Sequence, residues 1–433
     1  MLCFLVGLLF CRAVVGAEPD KGLFANLNME WGGYLRAIGN VSWLEDDTLY
    51  QFVGHDPYFD GQLEWRLKNT LNMGSRWSLE THYELVALGG DFYEDTRKLA
   101  QTLPSAVSDL LVPAQVIEDD YRFFDLGRVL TEKDRYLVYN RLDRLNLTYN
   151  ADWGTVRLGR QALTWGNGLI FNPMDLFDPF APTAVQRDYK VGEDMAFAQI
   201  PVGQDGLQML YIPRRDPQTG NLDDANSAYA AKYHLVLSDL EMDIMAARNF
   251  DDPVAGLGAS GYWGGAAWRI DALYTDLTNS ADRSGFFQVV ANMDYAWTWG
   301  GKNVYGLVEF YYNGLGRTGD YAKALTEQAL VERLSRGEMF TLGRYYLAGQ
   351  LQVELHPLVQ SQTTAIVNLS DPSGLLQPQF TWSVTENVQA ILGAQWHWGR
   401  RGSEFGGYPV TVDGLAVTAA PADRVYLWLT YYY

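Results

Sequence analysis

From residue 59 onward, apolar and polar side chains alternate along the chain. In FDGQLEWRLKNTLN, Leu63, Trp65, Leu67 and Leu71 share one face, and Gln62, Glu64, Arg66, Lys68 and Thr70 share the other. In RWSLETHYELVA, Trp77, Leu79, Tyr83 and Leu85 oppose Ser78, Glu80, His82 and Glu84. The same pattern sets Tyr233 and Leu235 against Lys232 and His234, and Trp268 and Ile270 against Arg269 and Asp271. Such a period belongs to strands, whose successive side chains point to opposite sheet faces.

About eighteen segments read this way. They lie near 27–38, 59–72, 75–86, 135–150, 153–164, 194–202, 206–213, 226–238, 240–250, 254–263, 266–275, 285–298, 303–313, 340–355, 358–369, 374–384, 388–398 and 424–433. Every other link is tiny, among them Met73-Gly74, Ala151-Asp152, Ser238-Asp239, Gly264-Gly265 and Gly300-Gly301. Most of the links between are long, notably 87–134, 165–193, 314–339 and 399–423. Sorting loops by length in this way is expected of an all-β, transmembrane antiparallel barrel with short periplasmic turns and long extracellular loops. Closure satisfies every backbone group inside lipid. A soluble propeller or β-helix would show a repeat at a fixed period, and no convincing one is found.

Composition fits that expectation. Aromatics are 14% of residues, with 27 Tyr and 14 Trp, and there are 42 Gly for tight turns. A net charge of -19 leaves no basic stripe for phosphates, so nucleic acid is not an expected partner. Residues 1–17, with an apolar run from Leu2 to Phe10 and a small-residue end at Val15-Gly16-Ala17, read as a signal peptide without a positive n-region. Residues 18–433 then form a single outer-membrane barrel domain. Cys3 and Cys11 both fall in the leader, so disulfide and thiolate chemistry are not expected afterwards.

The last strand reads RVYLWLTYYY, with Val425, Leu427, Leu429, Tyr431 and Tyr433 on one side. It resembles the terminal-strand signal by which Gram-negative outer-membrane proteins enter their assembly machinery, although many of those end in Phe. Leu158-Gly159-Arg160-Gln161, followed by Trp165-Gly166, resembles the "GRQ … WG" segment of alginate-export-type outer-membrane porins and neighbouring uncharacterised large porin families. That resemblance implies a barrel of about eighteen strands passing hydrophilic solutes, with a basic lumen for a polyanionic cargo. The polar faces depart from it. Their basic members are Arg66, Lys68, Arg157, Lys232, Arg269 and Arg344; their acidic ones are Glu64, Glu80, Glu84, Glu241, Asp243, Asp271, Asp294, Glu309 and Glu354. Mixed signs with an acid excess attract a polyanion weakly. Neighbours such as Arg269 and Asp271 are expected to neutralise each other.

Strict alternation aims Arg160 at lipid, where an arginine costs roughly 2–4 kcal/mol. A bulge near Gly159 would turn it inward, to meet Asp143. Residues 66, 68, 80, 84, 157, 160, 232, 269, 271 and 344 are therefore the candidate pore lining. The loop after 164 carries Leu169, Ile170, Phe171, Leu176, Phe177 and Phe180 between prolines. Two placements stand open for it: folded into the lumen as a constriction, or packed on top as a lid. In the first, Trp165, Asn167, Asn172, Asp175, Asp178, Arg187 and Asp188 face the cargo. Residues 95–112 and 319–336 carry helical pattern and read as plug elements or as caps of the mouth.

Catalytic chemistry is sparse. Five histidines, at 55, 82, 234, 356 and 397, form no metal motif, and no cofactor-binding loop appears. The acidic runs at 45–47, 118–120, 223–224 and 251–252 are expected to be solvated or to hold calcium bridging lipopolysaccharide. The expected function is passive diffusion of hydrophilic solutes through a non-enzymatic porin set among outer-membrane lipid and lipopolysaccharide. A barrel sheathing a partner such as an electron-transfer cytochrome, or an outer-membrane hydrolase, is the alternative.

Overall fold

The computed structural model describes residues 27–433 except 46, 49, 51–53, 103–118, 120, 185–188, 279, 281, 282, 413 and 414. The expected signal segment 1–17 lies outside the described residues. The strands, in chain order, begin with β1 (Leu27–Trp43), β2 (Tyr58–Met73), β3 (Trp77–Gly90), β4 (Gly127–Lys133), β5 (Tyr136–Ala151) and β6 (Gly154–Gln161). They continue with β7 (Glu193–Val202), β8 (Asp205–Ile212), β9 (Ala228–Leu237), β10 (Leu240–Asn249), β11 (Asp252–Trp263) and β12 (Ala266–Asp276). Next come β13 (Gly285–Trp299), β14 (Lys302–Asn313), β15 (Tyr345–His356), β16 (Val359–Asn368), β17 (Ser373–Ser383) and β18 (Val388–Trp398). The hairpin β19 (Tyr408–Val412) and β20 (Leu415–Ala419) precedes the last strand, β21 (Asp423–Tyr432).

Among the described residues, 18 of these strands close into one antiparallel barrel. The seam is β1 against β21, with Tyr34 opposite Tyr432 and Trp43 opposite Asp423. The closed ring leaves out β19–β20, which pair only with each other, and β4, which pairs only with β5 and extends the wall there. Each of the eighteen segments read from the sequence holds one barrel strand. The three strands in the long loops were not read, because their short runs carry no sustained alternation.

Connections at one rim are short, such as 203–204, 238–239, 264–265 and 300–301. Gly264-Gly265 and Gly300-Gly301 have positive φ at both positions, the requirement of a type I′ hairpin turn. The other rim carries 91–135, 162–192, 314–344 and 399–422. Helix α1 (Asp91–Thr102) follows β3, and the rest of the helical run to residue 112 lies outside the described residues. The second helical run is broken into α2 (Tyr321–Ala324) and α3 (Gln328–Ser335). The Thr326 hydroxyl donates to the Lys323 carbonyl, and Glu327 is extended, so the backbone leaves the helix between them. Both helices pack in a rim cluster with Leu277, Phe286, Leu315, Tyr321, Leu330 and Met339, as caps of the mouth.

The outside of the cylinder is apolar. Leu63, Leu158, Leu257, Val308, Leu392 and Leu427 are all more than half exposed. Near the short-turn rim, Tyr262, Trp263 and Trp299 are at least 75% exposed, and Trp43, Tyr229, Tyr345 and Trp398 form a second aromatic ring toward the loops. A band of aliphatics between two aromatic girdles is the surface a lipid bilayer solvates.

Candidate functional site: the bore and the loop that crosses it

The inner face changes character along the strands. Toward the loop rim it is apolar: Met195, Phe197, Leu210, Ile212, Ala228, Ala230, Met245, Val254 and Leu273 form one buried cluster with Trp165, Met174 and Phe177. Val290, Leu307, Tyr311, Tyr346, Ala348, Ile366 and Leu375 form another with Ile170 and Phe171. The buried partners of these wall residues in both clusters belong to loop 162–192, with Phe405 of the last loop packed beside them, so loop 162–192 lies inside the cylinder. Burying a large apolar side chain fully is worth about 1.5–3 kcal/mol, which offsets the ordering of a long loop. Proline and apolar residues coexist there because the loop turns repeatedly while facing a greasy wall.

Wall carboxylates fix its path. Glu309 on β14 accepts the backbone N–H groups of Leu169 at 2.7 Å, Ile170 at 3.0 Å and Phe171 at 2.6 Å. Asp271 on β12 accepts the Asn167 backbone N–H at 2.6 Å and its side-chain amide at 2.7 Å. Asn292 on β13 ties the two by donating to Glu309 and to the Asn167 carbonyl. Trp165 donates to Gln208 on β8 at 2.6 Å, and the Thr183 carbonyl accepts from Gln395 on β18 at 3.1 Å. Phe171 stacks on Tyr311 with centroids 4.6 Å apart. Tyr189, on the return path, lies under Arg66 and Lys68 at 4.5 and 4.1 Å. Attachments around so much of the wall mean that the loop spans the bore.

Lys190 closes the loop's base. Its ammonium donates to Asp175 at 2.5 Å and to the Leu163 carbonyl, while Arg144 donates to the Lys190 carbonyl. Burial pushes Asp175 up to about 7, against the pull of the Lys190 ammonium. Asn172 donates to the Trp165 carbonyl, and Asp178 stands 3.9 Å from Arg122 with left-handed backbone. Arg187 and Asp188 lie outside the described residues.

Of the expected lining, Arg66 and Glu84 are buried in a ladder that also holds Arg36, Glu64, Arg141, Asp143 and Arg144. Arg66 reaches Glu84 at 2.9 Å and Asp143 at 2.6 Å; Arg141 pairs with Glu84, Arg144 with Asp143, and Arg36 with Glu64. Lys68 lies over Tyr189. Glu80 pairs with His82 at 3.2 Å and Asn146 at 2.9 Å, and Arg157 donates to Thr148. Lys232 and His234 both face Asp243, at 3.4 and 3.0 Å. Arg269 pairs with Asp294 rather than Asp271, whose carboxylate the loop has taken.

Three placements differ from the sequence reading. Arg160 is not at the bore surface. The ladder through Gly159 keeps its register without a bulge, and Arg160 is buried between Asp194, Asp119 and the Phe124 carbonyl. It does not meet Asp143, which a bulge at 142–144 turns toward Arg66 and Arg144 instead. Arg344 precedes β15 and donates to the Gly316 carbonyl at the loop rim. The segment roofing Arg160 also completes the wall. Above the short β6, β4 takes over the edge of β5, Leu142 donates to the Leu126 carbonyl, and Arg122 bridges to Arg214.

The acidic runs are partly committed to structure. Asp119 takes Arg160, Asp224 and Asp251 take Arg248, and Asp252 takes Arg333. The sequence reading missed Glu404, whose carboxylate gathers Leu342, Tyr346 and Asn368 under the last loop. It also missed the inner apolar patches. Their signal was present in DMAFAQI and LQMLYI, where both faces turn apolar toward the loop rim.

A closed eighteen-stranded cylinder, greasy outside and crossed by an inner loop, settles the architecture. This is the fold of the outer-membrane β-barrels. The structure resembles OccAB2 of Acinetobacter baumannii at a TM-score of 0.53 and 10% identity, covering 95% of this chain and 99% of that one. OccAB1 of the same organism aligns at 0.51 with 9% identity, over 96% and 99% of the two chains. OccK5 (OpdH) of Pseudomonas aeruginosa aligns at 0.50 with 8% identity, over 93% and 98%. No family model and no curated protein matches the sequence. The alginate-export-type resemblance therefore rests on its short segment alone.

Proposed function

We propose that this protein is an integral outer-membrane porin through which hydrophilic solutes diffuse, with loop 162–192 as the constriction. The observation that carries the reading is Glu309 holding three consecutive loop N–H groups from the opposite side of the bore. Toward the short turns, below the loop, the inner face is polar and half-exposed at Lys232, His234, Arg269, Gln350, Gln352 and Gln362, as a water-filled vestibule requires. Such side chains replace part of a solute's hydration shell, and the loop sets the size that passes. The likeness of fold to OccAB2 and OccAB1 is compatible with this reading.

In this reading the short turns face the periplasm and the long loops the exterior, where Asp and Glu of the rim meet lipopolysaccharide. The last strand, sealed against β1, is the segment the assembly machinery would engage. Liposome swelling with neutral solutes of graded size tests the proposal. Swelling that falls with solute size, with a larger cut-off once residues 165–193 are deleted, is the expected result. Liposomes that never swell would refute the porin, and an unchanged cut-off would refute the constriction.

A further inference from the structure

The bore is chemically divided. On β1–β5 it carries the ionic ladder of Arg36, Glu64, Arg66, Glu84, Asp143 and Arg144. On β15–β18 the wall turns to amides and hydroxyls. Outward Leu347, Leu351, Phe380, Trp382 and Leu392 fix the parity of these strands, so the alternate positions face inward. Below the apolar patch of Ala348, Ile366 and Leu375, those positions are mostly amides and hydroxyls, among them Gln350, Gln352, Gln360, Gln362, Thr364 and Gln379, with Glu354 as their one carboxylate and no Lys or Arg.

Register assembles them into lateral rows. Tyr305 on β14 is opposite Gln352, Gln352 is opposite Gln362, and Gln362 is opposite Gln379. Gln379 is opposite Gly393, and Gly393 is opposite Tyr426 on β21. A Cβ at Gly393 would stand 2.3 Å from the Tyr426 hydroxyl and 2.4 Å from Cζ of its ring. The missing side chain lets the Tyr426 ring lie across β18, where its hydroxyl reaches Gln379 Oε1 at 3.3 Å. A row of three amides thus ends in a tyrosine on each side. Its four-strand stretch from Tyr305 to Gln379 spans about 14 Å at the usual strand spacing. One step toward the loops, Gln350 is opposite Thr364 and Thr364 opposite Gln377; one step toward the turns, Gln360 is opposite Thr381.

Among the described residues, Gln352, Gln360 and Gln362 make no side-chain hydrogen bond to protein; Gln360 is exposed, and Gln352 and Gln362 are half-buried. Each amide offers a donor and an acceptor from one end, the pairing that vicinal hydroxyls match. Uncharged groups do this without gathering counter-ions, and phenol rings stack on the apolar face of a sugar while bonding at their rim. We infer that Tyr305, Gln352 and Gln362 form a binding track for neutral saccharides, with the buried Gln379 and Tyr426 fixing the end of their row. This rests on the porin reading and names its solute class.

The test uses the purified full chain in planar bilayers bathed in potassium chloride and titrated with maltotriose. The expected result is steady ion current reduced reversibly and saturably by the sugar. In Gln352→Ala/Gln362→Ala the half-blocking concentration rises about tenfold, the worth of two weak hydrogen bonds or about 1.4 kcal/mol. Gly393→Val, which spares the amides and displaces the Tyr426 ring, raises it too. Current that maltotriose does not block saturably, or blocks equally in the double variant, overturns the saccharide track and leaves the porin standing. No current in any form removes the porin reading and the track with it.

Discussion

Glu309 and Phe171 meet inside the barrel, the carboxylate of one accepting the backbone N–H of the other at 2.6 Å while Phe171 stacks on Tyr311. A carboxylate acceptor on a barrel strand and a backbone donor on the inner loop make a tether that is both polar and greasy. Hydrogen bonds to charged groups are worth about 1.5–3 kcal/mol each, and Glu309 gathers several.

Glu309→Ala removes the acceptor for the N–H groups of Leu169, Ile170 and Phe171. In native-state hydrogen exchange those amides are protected in the parent and become fast in the variant, with the barrel strands unchanged. Equal protection in both proteins would show that the apolar contacts alone seat the loop.

Asp175 gives the loop a pH dependence. Its carboxyl titrates at about 7 in the folded state and at 3.8 when unfolded, so the folded form holds the proton more tightly. The stability this contributes is complete below 3.8 and is lost as pH rises through about 7. The loop's protection factors, which remove the intrinsic rise of amide exchange with pH, should therefore fall between pH 4 and 7 in the parent, and Asp175→Asn should flatten that profile.

The eighteen strands were legible because period-two alternation survives wherever one face meets lipid and the other does not. Loop 162–192 was legible as a greasy, proline-broken segment, yet its destination was not. The partners of Glu309 and Asp271 are largely backbone N–H groups, which leave no mark in a sequence. Arg160 misled for a different reason. Parity correctly marked it as misplaced, but relief comes from Asp119, far away in the chain and in a segment without periodicity. The bulge that alternation suggested near Gly159 sits instead at 142–144, where Arg-Leu-Asp-Arg breaks parity.

Asp143 lies between Arg66 and Arg144 and is almost fully buried. Asp143→Ala leaves two buried guanidiniums undercompensated and should cost about 3–5 kcal/mol in detergent unfolding. A cost below 1 kcal/mol would mean that water enters the ladder.

The two faces of the wall are separable by one kind of substitution. Leu257→Arg, at mid-strand on the outer face, should destabilise the barrel by about 2–4 kcal/mol in bilayers. Gln352→Arg, on the inner face, should leave folding unchanged and shift ion selectivity toward anions. Equal costs at both positions would contradict a lipid-facing exterior.

The most direct measurement is the single-channel current of the purified chain in a planar bilayer, with residues 165–193 present and deleted. The predicted result is a small, discrete conductance in the parent and a larger one in the deletion, both from barrels that remain heat-modifiable in gels. A bilayer that carries no current with either form would contradict a water-filled bore and point to a closed sheath for another protein.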